Sequence, residues 1–129
     1  MKLTSTHYFI ILVVIVFGGI VALRFYDSAK PGEYDTFAQC LADEGAIFYG
    51  AFWCPHCGEQ KDMFGNSVDF LPYKECSLPD GQGQTQECID ADIKTYPTWE
   101  FTDGTRLEGV QSFEKLSEKT GCELIKDDV

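Results

Sequence analysis

Cys54 and Cys57 stand with two residues between them in Cys54-Pro55-His56-Cys57, a spacing at which two sulfurs can form a bond or share the attack on one. A disulfide exchanges when a thiolate attacks one of its sulfurs in line, so a catalyst needs one activated, accessible sulfur and a second that resolves the mixed disulfide. Cys-x-x-Cys at the start of a helix supplies both. The first cysteine meets the positive end of the helix dipole and the unpaired N–H groups of the first turn, which favour a thiolate. The second lies one turn further in. Cys54 is therefore expected to attack and Cys57 to resolve. A protonated His56 would add a nearby cation and make the disulfide more oxidising; the alternative for His56 is an exposed helix residue with no tuning role. In another setting the same pair would be a structural disulfide or half of a zinc site.

The setting is what favours exchange chemistry. Trp53 and an aromatic run precede the pair, and Pro55 sits where proline suits the first turn of a helix, since the N–H it lacks has no partner there. Downstream comes Tyr96-Pro97-Thr98. An X-Pro bond is cis at modest cost; a cis Pro97 beside the dithiol would expose backbone groups to an extended substrate segment and keep metal away. The alternative is an ordinary trans proline at a strand start.

The elements that must position these residues are readable from periodicity and punctuation. Residues 34–43 place Phe37, Cys40 and Leu41 at helical spacing before Gly45. Residues 46–53, AIFYGAFW, form a short apolar run and predict a strand buried on both faces that delivers the chain to Cys54. A helix is expected from Pro55 to about Phe64, closed by Gly65. Residues 71–76 alternate as a strand, and residues 85–93 read as a short helix after the Gly81-Gln82-Gly83 loop. Asp103-Gly104 predicts a hairpin between residues 98–101 and 106–110, and Ser112 caps a last helix to about Thr120, before Gly121. The expected fold class is α/β, a mixed sheet covered by helices with the reactive pair where the first strand meets the second helix.

Composition bounds the rest. The chain has 129 residues and a net charge of −11. Residues 31–129 carry twenty Asp or Glu against seven Lys or Arg, which argues against a nucleic-acid partner. Residues 8–23 are uncharged and apolar, between Lys2 and Arg24, and predict a retained membrane helix with a cleaved signal peptide as the competitor. The expected organisation is an anchor over residues 1–26, a tether over 27–33 and one domain, acting as a monomer, over 34–129. Six cysteines, at 40, 54, 57, 76, 88 and 122, suit an exported domain, because disulfides persist outside the cytosol. Cys76 and Cys88 enclose a loop containing Pro79, Gly81 and Gly83 and are expected to pair, leaving Cys40 with Cys122. The alternative is that Cys76 and Cys88 form a second redox pair. An extracytoplasmic copper-binding module is the reading from another class. It would need further ligands, and the chain has only two Met and two His.

Trp53-Cys54-Pro55-His56-Cys57 with Tyr96-Pro97-Thr98 resembles the thioredoxin superfamily, its Pro-His pair being closer to bacterial periplasmic disulfide oxidases than to thioredoxins. FYGAFWCPHCGEQKDMFG from position 48, PYKEC from 72, TYPTWEF from 95 and EGVQSFEKL from 108 resemble more closely the thioredoxin-like domain fused to bacterial and plant vitamin K epoxide reductase homologues. The resemblance covers about residues 36–122. It implies a thioredoxin-like fold in which Cys54 attacks, Cys57 resolves and Pro97 is cis, with Trp53, Pro55, His56 and Tyr96 tuning or binding. It further implies that electrons pass from the cysteines of exported proteins to a membrane vitamin K epoxide reductase-type protein that reduces a quinone. The quinone-reducing bundle has no counterpart in these residues, so a separate partner is expected, with no cofactor in this chain beyond its own redox-active disulfide. A disulfide reductase or isomerase is the competing direction. Where thioredoxins keep a buried acid, this chain has Phe48; Glu59 could substitute for that acid or simply face solvent.

Overall fold

A computed structural model describes residues 5–28 and 30–129. Residues 1–4 of the expected anchor, Lys2 among them, and Ala29 of the tether lie outside the described residues.

The apolar segment forms one helix, α1 (Ser5–Ser28), which continues through the first two residues of the expected tether. Within it Ser5–Tyr26, 22 residues, is long and apolar enough to cross a membrane, as a signal sequence can also be. The remainder, Pro31–Val129, forms a compact unit of its own.

In that unit α2 (Asp35–Asp43) buries Phe37, Ala38 and Leu41 along one face, and Gly45, at a φ of +73°, lets the chain reverse into β1 (Ile47–Gly50). The helix α3 (Pro55–Phe64) follows and runs into a 3-10 helix (Gly65–Phe70) that the sequence did not disclose. Next come β2 (Tyr73–Glu75), α4 (Gln86–Asp90), β3 (Thr98–Glu100), β4 (Arg106–Glu108) and α5 (Phe113–Thr120). Ser112 caps α5 by accepting from the Lys115 N–H, and Gly121 ends it in the left-handed region.

The sheet order is β2-β1-β3-β4. β1 runs parallel to β2 and antiparallel to β3, and β3 and β4 form the hairpin around Asp103-Gly104. This is the mixed, helix-covered sheet expected of a thioredoxin-like domain. Alternation along β1 sends its side chains to opposite faces. Phe48 stacks on Trp99 at 4.8 Å in a core with Phe37, Leu41, Phe64 and Leu116. Tyr49 points the other way, into a smaller cluster with Cys76, Cys88 and Ile93. Helices therefore cover both faces.

One element departs from the sequence reading in a way that shapes the site. The run 46–53 is not one buried strand: β1 stops at Gly50, and residues 51–53 turn outward. Phe52 and Trp53 are 59% and 53% exposed. Their hydrophobicity mimics a strand, but past Gly50 the chain must bend to start α3, and the turn carries both rings to the surface.

Candidate active site

Cys54 is the N-cap of α3. Its N–H donates to the Ala51 carbonyl across the turn, and its own carbonyl accepts the first helical hydrogen bond, from Gly58 at 3.1 Å. Pro55 fills the first helical position, where it forfeits no hydrogen bond. The helix thus begins at the first cysteine and carries Cys57 one turn further in. Cys57 is 1% exposed; Cys54, read from sequence as the accessible sulfur, is only 8% exposed. What covers Cys54 is the loop before β3. The Tyr96-Pro97 peptide bond is cis, and the Cys54 Sγ lies 3.7 Å from the Tyr96 carbonyl oxygen, donating to it as a thiol. The Pro97 side chain is fully buried.

Cys54 and Cys57 are the free cysteines. Cys40 is joined to Cys122 and Cys76 to Cys88. Both sulfurs of the second pair belong to fully buried residues. A thiolate could reach neither of them in line without first opening the fold, which weighs against a second redox pair.

Burial pushes the Cys57 thiol up to about 12, with the neighbouring Cys54 adding to the rise and a backbone hydrogen bond from Ala51 and the charge of Lys61 opposing it. Cys57 is therefore protonated at neutral pH in the reduced protein. His56 and Glu59 do not reach it. Their side chains are exposed and face each other, Nδ1 to Oε2, at 3.4 Å. Glu59 faces solvent, and Phe48 sits in the core between the rings of Tyr73 and Trp99.

Two residues flank the dithiol, and both are held by the loop that Cys76–Cys88 closes. The Trp53 indole N–H donates to the Ser77 hydroxyl at 2.8 Å. The Gln84 amide donates to the Tyr96 hydroxyl at 2.7 Å and to the Ile93 carbonyl at 2.9 Å. Trp53 and Tyr96 meet edge to face at 6.1 Å. A Cβ on Gly81 would touch both Phe52 and Trp53, so the loop lies against that exposed pair. The structure thus brings Trp53, Cys54, Cys57, Tyr96 and Pro97 together and leaves His56 at the rim. Ser77 and Gln84 carry no local signal in the sequence. Only the expected pairing of Cys76 with Cys88 hinted that their loop would return to the site.

The arrangement is equipped for thiol-disulfide exchange: a sulfur at a helix start under a backbone carbonyl, and a second, buried sulfur one turn away. Among the described residues no group of three or more His, Cys, Asp or Glu side chains converges as metal ligands would. No family model matches the chain. The chain is 44% identical over 115 residues to Thiol-disulfide oxidoreductase LTO1 of Arabidopsis thaliana. The match takes in 82% of this chain and 30% of that protein, so the chain spans less than a third of its relative's length.

Proposed function

We propose that the chain is a membrane-tethered thiol-disulfide oxidoreductase that oxidises the cysteines of exported proteins outside the cytosol and hands the electrons to a separate membrane quinone reductase of the vitamin K epoxide reductase type. The observation that carries the exchange chemistry is the division of the six cysteines. Four are paired away from reaction, and the free two occupy the N-cap and first turn of α3 beside Pro97. The named relative supports the same chemistry. Two disulfides beside the dithiol support an oxidising compartment, and α1 supports attachment to a membrane.

In the forward direction a client thiolate attacks the Cys54 sulfur of the oxidised pair. The Cys54–Cys57 bond breaks, and its electron pair leaves on Cys57, which takes up a proton. A second client thiolate then attacks the client sulfur of the mixed disulfide, forming the client disulfide and releasing Cys54 as a thiolate. Two electrons now reside on the dithiol. Reoxidation repeats the sequence with the partner's disulfide: Cys54 attacks it, and Cys57, giving up its proton, attacks Cys54 and expels the partner's sulfur, which leaves reduced and takes up a proton. In the oxidised pair Cys54 has no thiol proton to donate to the Tyr96 carbonyl, which leaves that carbonyl to pair with an extended client backbone.

Trapping tests both the chemistry and its direction. In Cys57→Ser protein, expressed in cells that hold its native partners, mixed disulfides at Cys54 should accumulate with exported cysteine-containing proteins. A reciprocal trap should capture a quinone-linked membrane protein. Absence of any mixed disulfide would defeat the exchange reading, and clients recovered with reduced cysteines would reverse the direction to that of a reductase or isomerase.

A further inference from the structure

The buried sulfur that must leave and return in each cycle lacks the acid that the thioredoxin resemblance would place beside it, yet it has another ionisable neighbourhood. The ionisable groups that interact with Cys57 are Cys54 on its own turn, Lys61 one turn further along α3, Tyr73 from β2 and Tyr96 from the loop before β3, with Glu75 behind the two tyrosines. Positions 57 and 61 are i and i+4, on the same side of α3. Lys61 is half-buried, and its Nζ lies 3.4 Å from the centre of the Tyr73 ring, the geometry of a cation–π contact.

That ring is fixed on three sides. Its hydroxyl donates to Glu75 Oε2 at 2.7 Å, and the other carboxylate oxygen of Glu75 is held by the N–H groups of Ser77 at 2.8 Å and Phe52 at 3.2 Å. The ring meets Phe48 edge to face, with centroids 5.2 Å apart. Its Cε2 edge reaches Gly50, where an added Cβ would stand 2.8 Å from that carbon and 3.0 Å from the Cys57 Sγ. The missing side chain of Gly50 is what lets the ring and the sulfur share one space.

We propose that Lys61, clamped over Tyr73, is a positioning residue whose charge eases departure of the Cys57 sulfur when the Cys54–Cys57 disulfide is opened, a role that deepens the exchange function proposed above and rests on it. As the attacking thiolate bonds to Cys54, the electron pair of the breaking bond moves onto Cys57 inside the fold, where an anion is poorly solvated. Lys61 supplies the nearby positive charge until a proton arrives. Because the Cys57 thiol is protonated at neutral pH once the reaction is over, the same charge has no anion to stabilise in the finished reduced protein. Lys61 therefore acts on the rate of opening and leaves the equilibrium between disulfide and dithiol unmoved.

The full chain, oxidised and held in detergent, is mixed at pH 7 with excess dithiothreitol while tryptophan fluorescence reports opening. Its equilibrium is measured separately in glutathione buffers. Lys61→Met should slow opening about three- to tenfold with the glutathione equilibrium constant within about twofold of the parent. Lys61→Arg and Tyr73→Phe, which keep the charge and the ring, should restore the parent rate. Tyr73→Leu, which removes the clamp, should slow it as Lys61→Met does. An unchanged rate in Lys61→Met overturns the proposal, and so does a rate loss matched by an equal shift in equilibrium. Opening by a small dithiol requires no client, so absence of trapped client proteins would defeat the proposed function while leaving this result to stand or fall separately.

Discussion

Gln60 is the residue on which the alignment of α3 with the sheet depends. Its side chain is fully buried, and each end of its amide is used: Nε2 donates to the Gln111 carbonyl at 3.1 Å, while Oε1 accepts from the Trp99 indole at 3.2 Å and from the Gln111 N–H at 2.7 Å. Replacing it by leucine keeps the volume but strands two donors, the buried Trp99 indole N–H and the partly buried Gln111 N–H, each costing about 1–3 kcal/mol. Gln60→Leu should therefore lower unfolding stability by about 2–4 kcal/mol, read as a fall in the urea midpoint at unchanged slope; a midpoint within error of the parent would show that those donors find other partners. Cys57 makes a prediction about pH. Its folded value of about 12 stands above the ~8.5 of an unfolded thiol, so the folded state holds this proton more tightly. The stabilisation is complete below ~8.5 and is lost as pH rises toward the folded value. Reduced parent protein should then lose stability relative to Cys57→Ala between about pH 8.5 and the highest pH at which the protein stays folded. Parallel stability curves for the two proteins would contradict it.

At the scale of elements, the two disulfides do different work. Cys40–Cys122 spans 82 residues and ties α2 to the chain beyond α5, whereas Cys76–Cys88 spans 12 and closes the loop bearing Ser77 and Gln84. By loop-closure entropy the first is worth about 4.5 kcal/mol and the second about 3 kcal/mol. Replacing both members of the first pair by alanine should cost more stability but leave the dithiothreitol opening rate near that of the parent. The same change at Cys76 and Cys88 should cost less stability but alter the opening rate, because Trp53 and Tyr96 lose their supports. Urea unfolding and stopped-flow opening of the two variants decide it, and a reversed pattern would mean that the short loop does not hold the site. The elements themselves were mostly legible, since their signals are local: Pro55 and Gly65 bound α3, Ser112 and Gly121 bound α5, and Asp103-Gly104 turns the hairpin. Illegible were features set by distant partners. Gln60 looks like any polar helix residue until Gln111 reaches it, 51 positions away. Phe52 and Trp53 look like strand core until the turn into α3 exposes them. The 3-10 helix Gly65–Phe70 is built from residues that also suit a loop.

For the whole molecule the question is what α1, acting as the proposed membrane anchor, would add to a domain that carries its own dithiol. The domain carries twenty Asp or Glu against seven Lys or Arg, so its net charge does not draw it toward an anionic bilayer, and the proposed membrane partner would meet a free domain rarely from bulk solution. Attachment through α1, as proposed, would turn that encounter into one between two proteins in the same membrane, raising the effective concentration without any new contact. The chemistry of the dithiol and the rate of its reoxidation should therefore separate. Protein released from its anchor by cleavage near Pro31 should open with dithiothreitol at the rate of the anchored form. Its reoxidation by membranes holding the native quinone-linked partner should fall by about two orders of magnitude or more at equal total protein, followed by alkylating the free thiols over time and resolving the products on a gel. Membrane attachment is checked in the same preparation, for the full chain should stay with the bilayer through an alkaline wash that strips peripheral proteins. If released and anchored forms are reoxidised equally fast, the helix serves only for export, and a soluble oxidant must take the electrons instead.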